Sequence, residues 1–355
     1  MKYTHTNNNS FFTGLKENVN NYFIEAGQSI YGNIELLIKG VAIIIMYITA
    51  NAAIYMLHDN YAAYAICYII MGFSGVMIVF NIVHDASHNA LFRNRKYNKM
   101  ISYIGDLVGI NTYIWDIRHN VQHHSFTNIL GGDLIIEHIP LIRLSPHQPY
   151  HKYHRYQVFY APVLYMLYSF YWIFVIDFKL FFKKEICNLK NIQHPSAEWI
   201  KLIFFKSVYI FYSLIAPALF TPLTFLQCLG FFFLMHIAAG LLLSGVALLG
   251  HFVEGPSFPE ADKNGHIDNS WSEHQIEATI DFAPDSKIIN WVTGGLNTHV
   301  AHHLFPKMCH IHYFKVTPII KEYCLKNHYE YNKESLLSAL TSHMSYLKKL
   351  SIPQL

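Results

Sequence analysis

The sequence predicts an all-α, polytopic membrane protein, with four transmembrane helices carrying a cytoplasmic helical cap. Three observations predict it. Of 355 residues, 52% are hydrophobic and only 14% charged, against about a quarter charged in a soluble domain. Uncharged runs long enough to cross a bilayer recur along the chain. The basic residues between them gather in segments that share one side. A net charge of +3 offers no basic field for nucleic acid. The five cysteines include no CxxC pair, so they read as reduced, packed thiols and not as a disulfide framework.

Each element follows in order. Residues 1–40 form a polar N-terminal segment, with Asn7-Asn8-Asn9 as a short low-complexity tract and no apolar core of a cleavable leader. Residues 41–57 are 17 uncharged residues, near the lower limit for a span. His58-Asp59-Asn60 links them to 61–83, which holds 23 uncharged residues, making a tight helical hairpin. Residues 84–156 return to the cytoplasm, led by Arg93, Arg95, Lys96 and Lys99.

The run 157–176 is long enough to cross on hydropathy alone. Lys179, Lys183, Lys184 and Lys190 follow it, however, and a crossing would strand one basic set outside. It is expected to be an aromatic-rich interfacial segment. Residues 207–250 are 44 residues without Asp, Glu, Lys or Arg, too many for one span. Pro222 divides them into spans 201–221 and 223–250, with Trp199, Lys201 and Lys206 as interfacial anchors. Residues 251–355 complete the cytoplasmic cap.

The chain holds 23 histidines, as many as its Asp and Glu together, and several fall into clusters. His84 and His88 leave the second span four residues apart, on one helix face. His119, His123 and His124 follow at i, i+4 and i+5. His299, His302 and His303 follow at i, i+3 and i+4, and His251 comes directly after the last span. A single such pair is usually a solvated helix face. Nine imidazoles on one side of a membrane suggest a pair of transition-metal ions held between helices, with a coordination position left open. Structural zinc sites close at four ligands, commonly with Cys, and no Cys lies within these clusters. Iron gives access to oxygen chemistry, and the apolar surroundings suggest a lipid chain as substrate.

The stretches HDASH (84–88), HNVQHH (119–124) and HVAHH (299–303) resemble the three histidine boxes of the membrane fatty acid desaturases. HHSFTNILGGD (123–133), HFVEGPSFP (251–259) and GGLNTHVAHHLFP (294–306) resemble its bacterial and front-end, linoleoyl-CoA desaturase-like branch. The likeness runs roughly from Phe11 to Leu350. It implies a single desaturase domain with a non-haem di-iron centre, which uses O2 and two electrons to place a cis double bond in an acyl chain carried as a CoA ester or lipid. It also implies that His84, His88, His119, His123, His124, His251, His299, His302 and His303 are the metal ligands and hence the catalytic residues.

Many front-end enzymes carry a fused haem domain marked by His-Pro-Gly-Gly. Here His194-Pro195 continues into Ser196-Ala197, so the electrons are expected from a separate small haem cytochrome or ferredoxin. His299 stands where the branch commonly has Gln. Ala247 stands where some acyl-CoA desaturases have Asn, so no amide ligand is implied. The boxes alone leave open a hydroxylase on the same scaffold. A His-rich metal transporter would want ligands within the spans, where only His236 lies.

Supporting residues have paired readings. Asp85, Asp116, Asp133 and Glu254 are candidates to orient ligand imidazoles, or simply cap helices. Asn128 and Asn297 suit turns. Trp115, Trp291 and Phe252 would line an acyl tunnel or fill the core. His236 reads as a hydrogen-bonded packing residue. His138, His147, His151 and His154 read as loop residues, and His310 and His312 as part of the cap. Lys307, Lys315, Lys321 and Lys326 make a basic face, either solvated or suited to an acidic donor or a CoA phosphate.

Overall fold

Asn33 starts the first apolar helix of the computed structural model, its side chain accepting from the backbone N–H groups of Glu35 and Leu36. The structure describes residues 1–4, 10–58, 60–137 and 140–353; Asn7-Asn8-Asn9, Asp59 and His138 lie outside the described residues. The chain is mostly helical. A first helix, α1 (Ser10–Glu25), precedes α2 (Ile34–Ile54) and α3 (Tyr61–Ser87). α2 begins at Ile34 instead of 41 because Lys39 lies inside it, buried, with Nζ 3.0 Å from His310 Nε2. Hydropathy alone stops at that charge; the tertiary partner lets the helix run through it.

The segment after α3 forms α4 (Arg95–Leu107) and α5 (112–123). Three long apolar helices follow: α6 (Lys152–Phe181), α7 (Ser196–Phe220) and α8 (Phe225–Leu249). α7 and α8 separate at Pro222, and Thr224 opens α8 with a reciprocal capping box to Gln227. α2, α3, α6, α7 and α8 are thus five helices long and apolar enough to cross a membrane, by length and composition. α6 is the least regular, with Pro162 inside it, a pause at Leu167 and a wide π turn over Trp172–Ile176. It lies along α8, where Ser169 Oγ donates to His236 O at 2.8 Å. Lys206 departs from the interfacial role expected of it. Its Nζ sits 2.6 Å from Asp177 Oδ2 and also donates to Gly109 O, fully enclosed. Such a pair holds only while both partners remain.

The remaining helices build the cap: α9 (Trp271–Glu277), α10 (Lys287–Thr293), α11 (His299–Leu304), α12 (Tyr313–Lys326) and α13 (Leu336–Leu350). α1 joins them. Its Phe11, Phe12, Leu15, Val19 and Phe23 form one buried face against Val316, Ile320 and Cys324 of α12. Two short parallel ladders stitch the cap together, β1 (Lys2–Tyr3) with β2 (His266–Ile267) and β3 (Asp281–Phe282) with β4 (Lys333–Glu334). Two-residue strands carry no readable alternation, so the sequence pattern could not announce them. Gly294 seats the cap on α3. It has φ +62°, and a Cβ there would lie 2.5 Å from Phe80 O, so the backbone approach needs a glycine.

Candidate metal centre

The helices deliver the histidines by local geometry. α3 widens into a π turn over Val79–Val83 and then resumes over His84–Ser87, with His88 as its C-cap. α5 turns π over Ile117–His123. In an α-helix, i+5 lies about 140° around from i. The wider π turn brings it back, and His124 N donates to His119 O at 3.1 Å. That explains how His119, His123 and His124 share one face, and such bulges are frequent at functional sites. His299, His302 and His303 come from a single turn and a half of α11. His251 follows α8 through Gly250, where a Cβ would meet the His299 ring at 2.6 Å.

The structure brings all nine histidines together, in two groups. His84, His88, His119, His124 and His302 form one; His123, His251, His299 and His303 form the other. Within each, the candidate ligand atoms lie within 4.8 Å of one another. Rings of the two groups touch, with His124 and His303 centroids 4.5 Å apart. Burial pushes His88, His119, His124, His251, His302 and His303 well below the ordinary imidazole value. It pushes His299 down to about 3. These imidazoles are therefore neutral, the form that ligates metal.

The hydrogen bonds test whether a metal fits. In the four-histidine group every Nδ1 faces an acceptor: Asp133 Oδ2 at 2.9 Å for His123, and Ala278 O at 3.0 Å for His251. Leu296 O takes His299 at 2.9 Å, and Gln275 Oε1 takes His303 at 2.8 Å. Each Nδ1–H donates, so each Nε2 carries a bare lone pair. Yet His251 Nε2 and His299 Nε2 face each other at 2.7 Å. Two lone pairs that close repel unless a cation lies between them. Two nitrogens each about 2.1 Å from one ion, at right angles, would sit roughly 3 Å apart.

The same crowding recurs in the other group. His119 Nε2 is 2.9 Å from His84 Nε2 and 3.2 Å from His124 Nε2. The Nε2 atoms of His88, His302 and His303 have no hydrogen-bond partner among the described residues. The residues fit a metal pair.

Beside the histidines runs a cavity walled by Phe80, Trp115, Trp172, Leu243, Val246 and Ala247. Trp115 lines it, as one reading of the sequence expected. Trp291 does not: it lies on the surface under Lys39 Nζ. Phe252 is core, against Phe258. Of the candidate acids, only Asp133 bonds one of the nine imidazoles directly. Asp85 Oδ2 instead holds His310 Nδ1 at 2.7 Å, and its Oδ1 is 3.9 Å from His84 Nδ1. Asp116 takes Asn120, and the exposed Glu254 reaches none of the nine.

His236 is a hydrogen-bonded packing residue, between Ser169 Oγ and Tyr209 OH. His147 bonds Phe258 O, and His151 and His154 share a capping box. Asn297 ties its turn to Ala283 O. Asn128, at φ +60°, sets its own N–H on Asp133 Oδ2 at 3.0 Å. Gln275 is the residue that sequence reading missed. The capping-box spelling Ser270-x-x-Glu273 signals the start of α9 but nothing of the role of Gln275.

The family model for fatty acid desaturases matches residues 59–335. An sn-1 linoleoyl-lipid 6-desaturase of Arthrospira platensis is 34% identical over 290 residues, 80% of this chain and 77% of the relative. The protein of the same name in Synechocystis is 30% identical over 353 residues, 97% of this chain and 96% of the relative. An acyl-lipid (8-3)-desaturase of Physcomitrium patens is 27% identical over 357 residues, covering 100% of this chain and 74% of that one. With the family match spanning the helices that carry all nine histidines, the chain belongs to the fatty acid desaturase family.

Proposed function

We propose that the protein is an O2-dependent acyl desaturase whose nine histidines hold two non-haem irons and which places a cis double bond in a fatty acyl chain. The observation that carries this is the pair of facing imidazole lone pairs, His251 against His299 at 2.7 Å, with the Nε2 atoms of His84 and His119 crowded alongside at 2.9 Å. His84, His88, His119, His124 and His302 would hold one ion; His123, His251, His299 and His303 the other.

Bound iron supplies, with O2 and two electrons, the oxidising power to break unactivated C–H bonds that no side-chain acid or base can break. A –CH2–CH2– unit, O2, two electrons and two protons become –CH=CH– and two waters. The rest is the chain's own work. Asp133, Gln275 and the carbonyls of Ala278 and Leu296 hold four imidazoles by Nδ1, with Nε2 turned inward. Phe80, Trp172, Leu243 and Val246 exclude water and confine the chain so that one C–C bond lies beside the histidines, where proximity and orientation select it.

Parity supports four crossings. Three apolar helices, α6, α7 and α8, lie between His124 and His251. His251 and His123 rings touch at 4.7 Å between centroids, so an even number of those helices crosses. The interrupted α6 is the one read as interfacial. Residues 1–40, 84–156 and 251–355 then share a side, and Arg93, Arg95, Lys96 and Lys99 make that side cytoplasmic. The whole chain is read as one domain in a cell membrane, fed by a separate small haem cytochrome or ferredoxin.

A host expressing the chain and fed defined acyl chains tests the reading. A new cis alkene in its fatty-acid profile is expected. Hydroxylated chains without an alkene, or full activity in His123→Ala, would overturn it.

A further inference from the structure

A second cavity meets the first. On the flank of α6 lies an apolar groove of about 400 Å3, lined by residues that include Leu141, Leu164, Leu167, Phe170, Val175 and Phe233. Among the described residues, no Lys, Arg, Asp or Glu lines it. Its rim is open, with Leu167 half-exposed on α6, a helix of membrane-spanning length, and Leu141 half-exposed in the turn that precedes it. Tyr168 lines both this groove and the cavity beside the histidines. Its ring is the wall between them.

Two donors behind that wall lack an acceptor. Arg118 is 6% exposed and lines the inner cavity. Its guanidinium lies 4.2 Å over the Trp172 ring, and Nη2 reaches Tyr168 OH at 3.4 Å. Its Nη1 has no hydrogen-bond partner among the described residues. Trp115, also 6% exposed, stacks on Trp172 and leaves Nε1 equally unpartnered. Native interiors rarely keep such groups unpaired, and here both border the same cavity. A bare hydrocarbon chain would leave them unpaired. An acyl ester brings carbonyl oxygens that accept from both.

We propose that the acyl chain enters sideways from the bilayer while still esterified to a membrane glycerolipid, passing Tyr168, and that Arg118 and Trp115 receive its ester carbonyl. This rests on the desaturase reading and names the substrate class of that site. The choice of glycerolipid over CoA ester follows from charge. A CoA thioester carries several phosphates, and the described residues lining the groove offer them no cation, whereas its apolar rim suits a lipid already in the membrane. Arg118 is then a binding residue that fixes the carbonyl end. The carbonyl's distance along the chain from the histidines sets which bond reacts.

The test uses the full chain in phosphatidylcholine nanodiscs, with phosphatidylcholine bearing a mid-chain diazirine, and in parallel a diazirine acyl-CoA. The protein keeps its metal but receives no electron donor, so labelling is independent of turnover. After irradiation, peptide mapping is expected to find the lipid probe on Leu167 and Phe233 and, inside, on Trp172 and Leu243. Leu167→Trp and Arg118→Gln should each cut the inner label about tenfold, the factor for losing one good charged hydrogen bond or its equivalent. Arg118→Lys should restore part of it. Phe159→Trp, on the same helix, 80% exposed and outside the groove, should change nothing. Thermal melting of each variant checks that it folds. Inner labelling by the acyl-CoA probe alone, or lipid labelling unaltered in Leu167→Trp and Arg118→Gln, would overturn the proposal. The expected labelling without any desaturation in the metal-loaded protein would sink the enzyme reading and leave the route standing.

Discussion

The two histidine groups reach the same end by different means. In the group of four, every Nδ1 is held by an oxygen, from Asp133, Gln275, Ala278 or Leu296. In the group of five the holding is sparse. His302 Nδ1 has only Tyr313 OH at 3.4 Å, and the Nδ1 atoms of His84 and His124 have no hydrogen-bond partner among the described residues. In the proposed metal site, one group would therefore rely on preorganised imidazoles, the other on an additional ligand. Orienting partners tune a metal site nearly as strongly as the ligands themselves, so the smaller group should depend more on each of its members.

The largest effect should come from His251→Ala, which takes a ligand from the smaller group. Product should vanish, and bound iron, measured by metal analysis, should fall by about half. Next is Asp133→Asn, which leaves His123 in place but weakens its anchor. Iron affinity or activity should drop about 10- to 100-fold, read by iron titration with a spectroscopic probe. Gln275→Ala should cost less, about tenfold, because Thr127 Oγ1 stands 3.4 Å from His303 Nδ1 as a substitute.

Acid should loosen the same group through its scaffold. His274, next to Gln275 on α9, donates from Nε2 to Thr127 O and is held by burial at about 4, below the ordinary 6.5. A depressed folded value means its contribution is complete above pH 6.5 and is lost as pH falls from there toward 4. By pH 5.5 the loss is about 1 kcal/mol. His274→Gln should flatten the stability curve, measured by melting temperature, over that window. The smallest effect is expected from Tyr313→Phe in the group of five, within about threefold on iron affinity. If it matched Asp133→Asn, the distinction between the groups would collapse.

Much of this was legible in the chain. The i, i+4 spacing of His84 and His88, and the i, i+3, i+4 spacing of His299, His302 and His303, are helix-face patterns that survive in α3 and α11. The Pro222 break was readable because proline cannot continue a helix. Lys39 and Lys206 were misleading for a common reason. Each is a charge in an apolar helix whose partner, His310 or Asp177, lies far along the chain. Gln275 was invisible because an amide at that position means nothing until His303 is beside it. Glu254 looked apt by being close to His251 in sequence, but the chain turns its carboxylate outward.

By itself, the sequence determined that the chain is mostly helical with long apolar helices and marked out nine clustered histidines as candidates, because hydropathy and helical spacing are local and repeat along the chain. The pairing of those histidines into a five and a four was decided only by tertiary structure. His123 and His124 are neighbours in sequence, yet they fall in different groups, because a π turn sets their directions and α8, α9 and α11 supply the partners. Burial does the rest. A lone pair left without a proton and facing another at 2.7 Å is a property of where rings meet, and no residue carries it alone.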